Sequence, residues 1–115
     1  MFSDGKKSIR FDWRERNTCR ISDTELQEIL KNIKAQSFES SRITVAKQIV
    51  HSKQCFTTLQ IKQILGLFSF EKSKLDLAKY CYEYCIDRSD YYKINSSFSF
   101  SSSVEELNKY ISEQK

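Results

Sequence analysis

The sequence has no proline, and glycine occurs only at Gly5 and Gly66, so the two residues that most often interrupt a helix are almost missing. Strand-rich folds of this length need many tight turns, usually built with Gly, Pro or Asn-Gly pairs, and the chain has few of these to offer. Long apolar runs are missing as well. No stretch approaches the ~20 residues that cross a bilayer as a helix. Histidine occurs once, at His51, which removes the paired-histidine schemes of most acid/base and zinc sites. The sequence also contains no glycine-rich phosphate loop, nucleophile elbow or His-Glu metal helix.

What is present fits a single helical domain. The chain has 115 residues, 39% hydrophobic and 30% charged, which is the size and composition of one globular unit with a real core. Its net charge of +4 suggests nucleic acid until the charges are located. Residues 1–20 carry six basic residues against three acids, whereas residues 21–115 carry thirteen against twelve. The excess therefore lies in a polar, basic lead over residues 1–20, expected to be extended or partly disordered, and the helical domain over 21–115 is nearly neutral. Within the lead, Ile9, Phe11 and Trp13 alternate with Arg10 and Asp12, so an extended segment would put the three apolar side chains on one face. The first residues lack the basic-then-apolar pattern of a signal peptide, and they do not indicate a compartment.

Helical periodicity predicts five helices. The first, over 23–35, has Ser22 and Glu25 as a capping box and a stripe of Leu26, Ile29, Leu30 and Ile33. A second over 40–52 buries Ile43, Val45, Ala46, Ile49 and Val50, and a third over 58–68 starts with the Thr57/Gln60 box. The fourth, over 72–86, is apolar nearly all round, so it is expected in the middle of the molecule. A last helix over 102–112 has Ser102 and Glu105 positioned as a box. Between the last two, Asp87–Asn95 can hold a short helix or a turn.

The segment Ser37–Lys47 recurs 32 residues later as Ser69–Lys79, with six of eleven positions identical, and a fainter copy starts at Ser99-Phe100. A period near 32 with two helices per unit is the pattern of stacked helical hairpins. The fold class expected is therefore all-α: a compact bundle of about five or six helices, built from two to three helix-pair repeats of about 32 residues, behind an extended N-terminal lead. Phe38, Phe70 and Phe100 would be equivalent apolar plugs at the start of each second helix.

Few residues suggest chemistry. His51 reads as a helix C-terminal charge, and the serines at 96, 97, 99 and 101–103 read as caps and turns. Cys81 and Cys85 lie one turn apart inside the apolar helix, which favours core packing over a metal site. Cys19 and Cys55 flank the first helix pair at the same end. They either bridge, contributing ~3–4 kcal/mol in an oxidising compartment, or remain thiols in a reducing one. No catalytic, metal or cofactor-binding residue is assigned, and no cofactor is expected. Tyr80, Tyr84, Arg88, Tyr91 and Tyr92 have the composition of a protein-binding patch.

The run Phe68–Tyr80, followed by Asp87, Tyr91–Asn95 and Phe98–Leu107, resembles a family of small helical domains of unknown function. Its members are chiefly C-terminal domains of exported Bacteroidetes proteins, with some eukaryotic ones. The resemblance covers roughly residues 19–112. It implies an all-helical domain with no assigned activity, cofactor or binding residue, and a periplasmic, cell-surface or secreted location. It also modestly favours the Cys19–Cys55 bridge. The function expected is a non-enzymatic protein-interaction or scaffolding module of an exported or envelope protein, acting as a monomer on an unknown protein partner. The alternatives are an enzyme of unfamiliar type with an acidic pocket gathering Asp76, Glu83, Asp87 or His51, and weak nucleic-acid binding through the basic lead.

Overall fold

The computed structural model describes residues 19–114. The Ile9, Phe11 and Trp13 stripe lies outside them. The elements are α1 (Asp23–Lys34), α2 (Glu39–Lys53), α3 (Thr58–Leu65), α4 (Glu71–Tyr82), a 3₁₀ segment (Arg88–Ser97) and α5 (Ser101–Ser112). No strand occurs among the described residues. One isolated bridge joins Phe56 to Cys85, and there the Ile86 N–H donates to the Phe56 carbonyl at 2.9 Å.

Each boundary has a local cause. Ser22 caps α1 by accepting from the Glu25 N–H at 3.1 Å, and Thr57 and Gln60 form the full reciprocal box at the start of α3. The expected box at Ser102 is corrected: α5 begins one residue earlier, with Phe100 at the cap position and no side-chain cap bond. α4 stops at Tyr82, four residues short of the expected end. There the Arg88 guanidinium takes the Tyr82 and Glu83 carbonyls that a longer helix would have used.

α1 packs on α2 and α3 on α4, while the 3₁₀ segment packs chiefly on α3 and α5 packs on α4. The second helices pack side by side in the order α2, α4, α5, and the first members in the order α1, α3, 3₁₀ segment. The result is a short two-layer stack of two helix pairs and a last unit made of the 3₁₀ segment and α5, each held by the unit before it. α4 touches α2, α3, α5 and the 3₁₀ segment, as its apolar circumference predicts, and buries Leu77, Ala78 and Cys81. One core runs through the stack, from Leu26, Ile29 and Ile33 through Val50, Phe56, Ile61, Ile64 and Leu65 to Tyr91, Ile94 and Leu107.

Candidate functional site

The repeat is visible as contacts. The Glu39 carboxylate at the start of α2 accepts from the Ser69 and Phe70 N–H groups at 2.7–3.1 Å, and the Glu71 carboxylate accepts from Ser99 and Phe100, each at 3.1 Å. Each acid thus holds the Ser-Phe entry to the next unit. Arg42 donates to the Leu67 carbonyl at 2.9 Å, and Lys74, its equivalent, donates to Ser97 at 3.2 Å. Further along the helices, Lys47 pairs with Asp76 and lies over the Tyr80 ring, while Lys79 pairs with Glu106 and lies over Tyr110. The similarity of the sequence copies thus follows from a shared joint.

These joints set the charge of the acids. Burial opposes the Glu39 carboxylate, but the Phe70 and Ser69 amides, the Ser73 hydroxyl and Arg42 outweigh it and hold its pKa below the ordinary value. The Ser103 hydroxyl, the Ser99 and Phe100 amides and Lys74 do the same for Glu71, against partial burial. Ser101 stands where a third glutamate would be. The sequence signal for this joint is an acid kept at one register in two copies and lost in the last.

The phenylalanines of the same motif are not plugs, which corrects the sequence expectation. Their backbones are held by the glutamates, and their rings are left out in solvent: Phe38 is 72% exposed, Phe70 64% and Phe100 61%. Because each sits at the cap position of α2, α4 or α5, the three rings stand in a row along one edge of the stack.

The tyrosine patch divides. Tyr91 is core, 3% exposed, with its hydroxyl on the Ala78 carbonyl at 2.6 Å, and burial raises its pKa, so it leaves the candidate surface. Arg88 closes the end of α4 and lies over the Tyr82 ring. Tyr92 is 65% exposed. Tyr80 and Tyr84 form a half-buried strip on the α2–α4 side, 5.4 Å apart between ring centroids, with His51 edge-on to Tyr84 and its Nδ1 3.1 Å from the hydroxyl.

The residues weighed for catalysis are engaged separately. Asp76 is in a joint, and Glu83 is exposed. Asp87 Oδ1 accepts from the Thr58 N–H at 2.7 Å, the Thr58 hydroxyl at 2.9 Å and the Cys85 thiol at 3.1 Å. Burial opposes its charge, yet these donors keep its pKa below the ordinary value. It caps the start of α3. Burial pushes Cys81 upward and Cys85 up to about 12, so both stay protonated thiols in the core at neutral pH. Cys19 and Cys55 are paired as a disulfide, with Cα atoms 5.4 Å apart. Among the described residues no group of three or more His, Cys, Asp or Glu is arranged to hold a metal, and no helix is long and apolar enough to cross a membrane.

Residues 20–111 match the model of a domain of unknown function (DUF4476). No curated protein and no solved structure matches the chain.

Proposed function

The chain belongs to the domain-of-unknown-function family DUF4476, and from that premise we propose that it is a non-enzymatic protein-interaction module of an exported or envelope protein. The observation that carries this reading is the Tyr80–Tyr84–His51 strip on the α2–α4 side. Lys47, Asp76, Lys79 and Glu106 of that layer are taken up by the joints between units, while aromatic surface that could have been buried stays half open to solvent. Half-exposed tyrosines beside cations supply rigid contact area with little rotamer entropy to lose, which suits a protein partner. Tyr92 adds an exposed ring on the 3₁₀ segment.

The test is capture of a partner by the full chain, compared with Tyr80→Ala/Tyr84→Ala and Tyr92→Ala variants whose helical content and melting are checked in parallel. Loss of at least about tenfold in affinity with the fold intact is expected for the strip variant. Unchanged capture by both variants would exclude these tyrosines. Export is supported by the Cys19–Cys55 pairing. Thiol counting in denaturant, on protein purified without reductant, is expected to give only the two thiols of Cys81 and Cys85; four would place the domain in a reducing compartment.

A further inference from the structure

The row of exposed rings at Phe38, Phe70 and Phe100 lies away from the tyrosine strip, and the joints do not use its side chains. Exposed aromatic rings repeated at one position in three successive units form a patch of the type that marks a contact surface. The shape of this patch limits what can cover it. The rings sit on the tips of adjacent helix starts, and none of them lines the cavities found along Gln36–Val45, Ser40–Glu106, Tyr82–Gln114 or Gln27–Leu67. A protein partner would need matching sockets about one helix diameter apart. A bilayer surface needs none, because it deforms around whatever enters it.

Four lysines along the same edge make no ion pair among the described residues. Lys31 and Lys34 lie in the last turn of α1 and Lys62 in the last turn of α3, where each chain turns toward the next phenylalanine, and Lys72 is in the first turn of α4. None of the four pairs with an acid among the described residues, where the ion pairs are made by Lys47, Lys53, Lys79 and Lys93. The edge's own acids, Glu39 and Glu71, stay charged but are turned onto backbone amides, with the Arg42 and Lys74 cations beside them. Asp76 and Glu106 stand a turn or more up the helices and are paired with lysines, and Glu105 stands at the same height. The starts of α2, α4 and α5 add the positive ends of three helix dipoles.

We propose that this edge docks on an anionic lipid bilayer, with the three phenyl rings entering the headgroup region and Lys31, Lys34, Lys62 and Lys72 facing acidic headgroups. Apolar area entering the interface and attraction to acidic lipid together set the strength of such binding, and neither alone makes it firm. This docking is independent of the protein-partner reading and uses a different face.

The test is sedimentation of the full chain with vesicles of phosphatidylcholine alone, or containing about one-third phosphatidylserine. Binding to the anionic vesicles only, weakened by salt, is expected. A Phe38→Ser/Phe70→Ser/Phe100→Ser variant is expected to lose partitioning by at least about tenfold while melting as the parent does, since the rings are in solvent. Lys31→Glu/Lys34→Glu/Lys62→Glu/Lys72→Glu is expected to remove the preference for phosphatidylserine. Failure of the parent to sediment with anionic vesicles overturns the proposal. Retention by the phenylalanine variant also overturns it, because the basic lead over residues 1–20 would then carry the binding. Displacement by polyglutamate but not by neutral competitors, with no dependence on the three rings, would assign the edge to an acidic protein instead.

Discussion

Asp87 shows how a residue that looks catalytic can be structural. Its Oδ1 satisfies three donors at the point where α3 starts, and one of them, the Thr58 hydroxyl, is fully buried. Replacing it by alanine leaves those donors short of an acceptor, so Asp87→Ala is expected to cost about 1–3 kcal/mol in denaturant unfolding. Asp87→Asn, which keeps an acceptor, is expected to recover part of that. Unchanged stability in both variants would mean that these three bonds do not hold the start of α3. Glu39 and Glu71 carry a pH dependence of definite sign. Their folded-state pKa values lie below the ordinary 4.5, so the stability they contribute is fully present above about that pH and is lost as pH falls through the folded values. Melting temperature recorded down an acid series is expected to fall in that window, and to fall less steeply in a Glu39→Gln/Glu71→Gln protein, which has already lost the charge-assisted bonds.

At the level of the element, α4 concentrates the packing. Leu77 is fully buried where α4 meets its neighbours, and Leu77→Ala is expected to cost about 2–5 kcal/mol, against under ~0.5 kcal/mol for a change at exposed Lys72. The burial of this helix was legible because Leu75, Leu77, Ala78, Tyr80, Cys81 and Tyr82 cover most of its circumference, and α1 and α3 were legible from Ser22 and Thr57, whose caps act within a few residues. The repeat was legible too, as matching letters. What it does was not, because Glu39 acts on backbone amides 30 and 31 residues away, and no local pattern identifies those partners. Phe38, Phe70 and Phe100 were misread for a related reason. Apolar type announces a contact, whereas direction depends on where the neighbouring unit places its backbone. The patch residue Tyr91 follows the same logic. In a polar, aromatic stretch, the pairing of Tyr91 with Ile94 on one side of the 3₁₀ segment is set by the α3 surface under it.

Over the described residues the molecule is a stack with α2 on one side and α5 on the other. α5 has Ser101 and Val104 where a further joint would need Glu and Arg or Lys. The α5 end thus lacks the residues of a further joint, and the chain is expected to sediment as a monomer; a mass that rises with concentration would show that this end can still pair. Within such a stack, units hold only their neighbours, so local losses stay local. The Cys19–Cys55 disulfide ties the start of α1 to the connection between α2 and α3, and among the described residues α1 packs chiefly on α2 and α3. Removing that tie in a Cys19→Ser/Cys55→Ser protein is expected to lower global stability by about 3–4 kcal/mol. The loss should not be even. Hydrogen exchange is expected to accelerate most in α1, and least in α4 and α5, which are joined through Glu71, Lys74 and Lys79 rather than through the disulfide. A uniform rise in exchange across all five helices would mean that the units unfold as one cooperative body and that the stack is a repeat in sequence and geometry but not in energetics.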